Sequence, residues 1–312
     1  MDSWIELDED ALRQYIDAKA VFQSWESARA KAAEVRGGML WRTAKGREYL
    51  IRTSVDNKQQ SLGVRSEKTE EMYSRFVTRK EAAETRLKTL TDELDRHRRL
   101  NRAVRVGRAP DILVSILQVM ARLNIGEHFI VIGTHALYAY EAAAGVRLKE
   151  RALATRDVDL LWDTRKRLQF ASRMKNLELS MLDVLRKVDS TFEIRDDQLF
   201  TAVNAKGFEV DILRREAADL DPHPLQLTDN EDDLWAVQAR RANVLLGSAP
   251  FSTPIVSVTG RMARMTTISP TTFVEFKRWM ASTADRDPLK VSRDRLQASI
   301  VEELADRFQL GG

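Results

Sequence analysis

The chain has 312 residues, 43% of them hydrophobic and 31% charged, with a formal net charge of +3 at pH 7. That size fits two domains, or one with a large appendage, and the slight basic excess permits nucleic-acid binding without demanding it. With no cysteine, disulfides, thiolate metal sites and cysteine nucleophiles are excluded; the four histidines show no HExxH-like spacing, which argues against a zinc hydrolase. The acidic start MDSWIELDED lacks the apolar core of a signal peptide, and no apolar run approaches the ~18 residues of a membrane span, so a cytoplasmic protein is expected.

In chain order, residues 8–35 place Leu12, Tyr15, Ile16, Phe22 and Trp25 at helical spacing, with Lys19 the one polar break, and Gly37-Gly38 ends that helix. MLWRT, REYLIRT and QQSLGV, separated by turns at Lys45-Gly46 and near Asp56-Asn57, predict a three-stranded meander. A long polar helix over 66–104 follows, with a narrow apolar stripe of Met72, Phe76, Ala83, Leu87, Leu90 and Leu94. The stripe lacks sustained a/d heptads, so packing within its own domain is expected ahead of a dimer or partner seam, although a homodimer or partner protein on these N-terminal helices stays open. The helix ends in Arg96, Arg98, Arg99, Arg102, Arg105 and Arg108, a solvated face or a contact to nucleic acid or nucleotide.

From 111 the texture changes. An apolar helix over 111–124 precedes a β-branched strand at 128–132, an Ala-rich helix at 134–144 and a long connection to a strand at 156–162. Helices are expected at 165–174 and 179–188, and strands at 191–195, 199–204 and 207–213. The stretch 220–250 is mixed. Strands near 253–258 and 264–268 lead into helices at 270–282 and 287–308. The expected domains are 1–107, 108–250 and 251–312.

Three pieces carry chemistry. Gly133-Thr134 lies between a strand and a helix, where glycine allows close backbone approach and the helix start offers N–H groups to phosphate. Asp157 and Asp159 lie two apart on a strand and so share a face, where two carboxylates need a cation between them. Asp211 lies on another apolar strand; if that strand is a neighbour, three carboxylates gather that would hold two divalent ions about 3.5–4 Å apart, Mg²⁺ or Mn²⁺. Glu209 reads as a strand-end charge. His135 at a helix start reads as a packing residue, and the scattered tryptophans Trp41, Trp162, Trp235 and Trp279 suggest no base-stacking platform.

IGTHALYAYEAAAGV with ATRDVDLLWD and the later Asp211 resemble the DNA polymerase β-type nucleotidyltransferase superfamily, and more narrowly a bacterial group of nucleotidyltransferase-fold proteins, over roughly residues 105–310. The resemblance implies an α+β fold: a mixed-sheet core with flanking helices and a C-terminal helical segment, to which residues 1–107 are appended. It implies that Gly133 and Thr134 hold the triphosphate of an NTP and that Asp157, Asp159 and Asp211 bind the metals. Asp211 would help deprotonate an acceptor hydroxyl on RNA, a protein or a small molecule. The chain has Thr134 where the superfamily has serine or a second glycine.

Further on, Ser269-Pro270 reads as a helix start, with Phe273, Phe276 and Trp279 on one side and Lys277 and Arg278 beside them. The layout of Lys277, Arg286, Asp287, Lys290, Arg293 and Asp294 is similar to the C-terminal helices of AbiEii-type toxin nucleotidyltransferases, whose basic residues face the nucleotide. Lys277 is the expected phosphate contact, while Arg286 and Asp287 are expected to fix helix packing. The competing readings are a catalytically silent nucleotide-binding scaffold and a nucleic-acid-binding protein using the meander and the arginine run.

Overall fold

The structure is a computed structural model and describes residues 4–55, 57–153, 155–218 and 221–310. Two compact units emerge: Met1–Leu12 with Val104–Gly312, and Arg13–Ala103. The N-terminal elements are β1 (Trp4–Glu6), α1 (Glu9–Glu34), β2 (Gly38–Ala44), β3 (Arg47–Thr53), β4 (Gln59–Val64) and α2 (Glu67–Ala103).

In the unit Arg13–Ala103, β2, β3 and β4 form the expected antiparallel meander, with Trp41 opposite Leu50. Of the turn expected near Asp56-Asn57, Asp56 lies outside the described residues. The buried face of α1 keeps the expected Tyr15 and Phe22 but replaces Leu12 and Ile16 with alanines. Tyr15, Ala18, Phe22 and Ala28 are buried, whereas Ile16 is 58% exposed. Small alanines let the helix approach its neighbour closely, and the larger Ile16 is turned outward. Along α2, Trp25 Nε1 donates to Thr91 Oγ1 at 3.1 Å and Gln14 Nε2 to Asn101 Oδ1 at 2.8 Å. The α2 stripe is half-buried at best, and Met72 is exposed.

The other unit continues with α3 (Asp111–Arg122), β5 (Phe129–Ile132), α4 (Leu137–Ala144), β6 (Val146–Leu148), β7 (Asp157–Trp162), α5 (Arg167–Leu177), α6 (Met181–Arg186), β8 (Glu193–Arg195), β9 (Gln198–Val203) and β10 (Glu209–Arg214). After these come β11 (Val237–Gln238), α7 (Ala242–Gly247), β12 (Phe251–Val256), β13 (Met262–Thr267), α8 (Pro270–Ser282) and α9 (Pro288–Phe308). The central sheet runs β5-β7-β10-β9-β8, with β11 beside β10. Strands β7 and β10 are parallel; β5 and β9 run antiparallel to them. This is the expected mixed-sheet α+β architecture.

The pleat separates two cores. Val158, Leu160, Trp162, Val210 and Ile212 point to one face and bury with Leu113, Phe170 and Leu185 from α3, α5 and α6. Leu161 faces the other side, where Tyr140, Phe273 and Val301 from α4, α8 and α9 cover it. Ser269 caps α8 by accepting from the Thr272 N–H, with Pro270 in the first turn.

The division expected at 250 is not a boundary between units. Ala242 and Leu245 bury in one cluster with Ile268, Phe273, Ile132 and Leu161. The first residues likewise join this unit, because β1 pairs with β6 and Trp4 packs edge-on against Phe308. Strand β6 falls in what reads as a long connection. Arg108 also leaves its expected solvated run: its guanidinium grips both oxygens of Glu141 and donates to the Leu148 carbonyl at the end of β6. Among the described residues no helix is long and apolar enough to cross a membrane.

Candidate active site

The site is built by register. Pairing of β7 with β10 sets Asp159 opposite Asp211 and Asp157 opposite Glu209. Pairing of β5 with β7 sets Ile132 opposite Asp159, so the chain leaves β5 at Gly133 directly beside that carboxylate. Gly133 has φ +69°, and any Cβ there would overlap the Asp159 carboxylate. Glycine is therefore required both by backbone conformation and by space. One helical turn of 3₁₀ type, Gly133–Ala136, then feeds α4.

Asp157, Asp159, Asp211, Gly133, Thr134 and Lys277 all line one cavity of about 470 Å³, a size suited to a nucleotide-sized ligand. Asp159 is half-buried and lines this cavity. Burial pushes its carboxyl up to about 7, with the charges of Asp157 and then Asp211 adding to the shift. Burial also raises Asp211, although the Thr201 hydroxyl donates to it at 2.6 Å and pulls the other way. Asp157 accepts from the Thr155 hydroxyl.

Among the described residues no three carboxylate or imidazole groups are already gathered closely enough to enclose a metal ion. The donor set nonetheless fits a hard divalent cation: oxygen ligands only, on a rigid sheet, with like charges raising one another's proton affinity. A cation would take the place of the proton that Asp159 otherwise retains.

Lys277 is 5% exposed and donates from Nζ to Asp294 Oδ1 at 2.8 Å. Burial lowers its proton affinity and Asp294 opposes that shift. Asp294, fully buried, also receives Arg286 from Nε at 2.9 Å and Nη2 at 2.7 Å. Arg286 lines the cavity as well as packing α9, whereas Asp287 caps α9 through the Leu289 N–H. One turn beyond Asp294, the Gln297 amide donates to Thr134 Oγ1 at 3.1 Å and to the Ala152 carbonyl at 2.7 Å. A single buried face of α9 thus fixes Lys277, Arg286 and Thr134.

Asp294 is the residue that sequence reasoning underrates. Its signal is an ionised group amid an apolar helix face with Gln297, Ala298 and Val301, matched by Lys277 among Phe273, Val274 and Ala281 on α8. Two charges of opposite sign on facing apolar stripes must meet. Trp279, read as scattered, lines the cavity beside Phe276, their ring centroids 5.7 Å apart. Arg278 faces away and pairs with Glu302 at 2.6 Å.

Glu209 pairs with Arg195 at 3.0 Å, in keeping with a strand-end charge. His135 is 1% exposed, packs beside Tyr138 and Phe208, and among the described residues neither ring nitrogen has a hydrogen-bond partner. Burial holds it down at about 4, so it is neutral and packs.

A sequence model of the nucleotidyltransferase family matches residues 111–310, a span that includes both acid-bearing strands, the Gly133 turn and the α8–α9 pair. No curated protein and no solved structure matches the chain. The family match covers more than half of the chain and falls on the unit that holds the cavity, so the chain belongs to the nucleotidyltransferase family and is a nucleotidyltransferase enzyme that uses an NTP.

Proposed function

We propose that the protein moves an NMP from an NTP to an acceptor hydroxyl in a reaction supported by two divalent cations, Mg²⁺ or Mn²⁺, held by Asp157, Asp159 and Asp211. The observation that carries this reading is the convergence of those carboxylates, the Gly133-Thr134 turn and the buried Lys277 on one cavity. Bound cations would neutralise the phosphates and lower the acceptor's pKa. The Gly133-Thr134 backbone, with Thr134 fixed by Gln297, receives the β- and γ-phosphates. Lys277 and Arg286, oriented by Asp294, add positive charge opposite the carboxylates. Asp211, whose proton affinity burial raises, accepts the proton of the attacking hydroxyl. Oxygen attacks the α-phosphorus in line, a P–O bond forms to the acceptor, and pyrophosphate leaves. The AbiEii-like layout of the α8–α9 charges supports a cellular RNA or protein as acceptor, in a toxin or defence setting.

The test is incubation with each α-³²P-labelled NTP, Mg²⁺ or Mn²⁺, and a cell extract containing RNA and protein. Label enters an acceptor with the wild type, and Asp157→Ala or Asp211→Ala reduces incorporation by at least roughly 100-fold. Equal labelling by wild type and both variants removes these residues from the chemistry.

A further inference from the structure

The cavity lining is of two chemical kinds: the carboxylates with Lys277 and Arg286, and the apolar side chains of Leu213, Ala239, Phe276, Trp279 and Met280. The change is set by the pleat of β10: Leu213 follows Asp211 on the same face, roughly 7 Å further along the strand. Helix α8 repeats the division. Lys277 is buried toward Asp294, while Phe276, Trp279 and Met280 are half-buried along the cavity wall.

The wall is held in place. The Arg241 guanidinium lies over the Trp279 indole at 4.7 Å, and Phe276 packs against the same ring with planes 33° apart. Thr283, Arg240 and Asp285 also line the cavity: the Thr283 hydroxyl donates its proton to the Met280 carbonyl at 2.7 Å, while Arg240 and Asp285 stay 68% and 70% exposed and pair at 3.5 Å. An apolar aromatic wall one pleat repeat from a phosphate-binding end suits a flat heterocycle.

Resting on the nucleotide reading above, we infer that the Phe276–Trp279–Met280 wall binds the nucleobase of the NTP and does so by contact area, with weak discrimination among the four bases. Strong base selection requires buried donors and acceptors that an incorrect base edge leaves unpaired. Beside the Trp279 indole N–H, the polar side chains lining the cavity here include Arg240 and Asp285, which stay in water and lack the burial that selection requires, and Thr283, whose proton is committed to Met280. Trp279 is thus a substrate-affinity determinant that does not select which base is transferred.

Calorimetric titration of the full chain with Mg²⁺ and α,β-methylene analogues of ATP, GTP, CTP and UTP, alongside inorganic tripolyphosphate, tests this. The four analogues bind within roughly tenfold of one another, and Trp279→Ala weakens each by roughly tenfold while leaving tripolyphosphate unchanged. Trp279→Phe, which keeps an aromatic face, recovers most of the loss. Preference for one base by more than about 100-fold overturns the inference, as does a Trp279→Ala protein that binds all four like wild type. If tripolyphosphate binds as tightly as the nucleotides, the triphosphate site stands and the base wall falls. If neither class binds, the nucleotide reading itself falls, and the inference with it.

Discussion

The two compact units treat charge in opposite ways. In Arg13–Ala103 the ion pairs lie outside: Lys88 and Asp92, 3.1 Å apart on α2, are 80% and 66% exposed. In the unit that carries the cavity, charge goes inside: Asp294 is fully buried and Lys277 nearly so. Exposed pairs are close to neutral for stability, whereas a buried ion loses several kcal/mol of hydration and persists only with a partner or a ligand. Buried charge therefore points toward function, but not alone. Arg214 is 1% exposed and bonds to His223 and the Pro222 carbonyl, and Arg108 is tied to Glu141 and β6; none of these groups lines the cavity.

The strongest way to break this contrast is Asp294→Ala, which strands Lys277 and Arg286. Thermal and urea unfolding are expected to show a loss of about 3–5 kcal/mol, together with loss of nucleotidyl transfer. The double variant Lys277→Met with Asp294→Leu regains most of the stability and none of the activity. If Asp294→Ala is no more harmful than a surface change, buried charge carries no special weight here.

The next effect is electrostatic. Asp159 keeps its proton up to about 7 when folded, against 3.8 for the ordinary group. As pH rises from 4 to 7 the folded state binds more protons than the unfolded one, so the metal-free protein loses stability across that window, by a few kcal/mol in all. Mg²⁺ should accordingly raise Tm little at pH 5 and most above pH 7, and Asp159→Asn should flatten both trends. An Mg²⁺ increment independent of pH would place the ion elsewhere.

His135 acts with the opposite sign. Its folded value of about 4 lies below the ordinary 6.5, so stability is lost as pH falls from 6.5 toward 4. The two slopes oppose each other in the wild type, and Asp159→Asn exposes the histidine slope, worth roughly 3 kcal/mol in full. Removing it further by His135→Leu in that background checks the assignment. The smallest expected effect is on the other unit: Lys88→Ala leaves the unfolding midpoint within experimental error.

Much of the site was legible because its signals are local. Asp157 and Asp159 announce a shared face by spacing alone, and Gly133 announces a turn. The parallel β7–β10 pairing then brings Asp211 beside them, as the apolar pattern around it suggests. What escaped the sequence depends on distant partners. Strand β6 exists because β1, at the far end of the chain, pairs with it. Asp294 lies one helical turn from Lys290, yet its partners Lys277 and Arg286 come from α8 and the loop after it. On α1 the large Tyr15 and Phe22 are legible, whereas Ala18 and Ala28 are not, because their burial depends on close fit to a distant neighbour and not on side-chain size.

The position of α9 has a consequence for synthesis. A ribosome releases Gly133, Asp157, Asp159 and Asp211 in turn, so the acids can assemble while the chain is still growing. Asp294 and Gln297 emerge after them, and with them the hold on Lys277, Arg286 and Thr134. A nascent chain that has reached β10 but not α9 therefore carries Asp157, Asp159 and Asp211 without the clamp that orients Lys277 and Arg286.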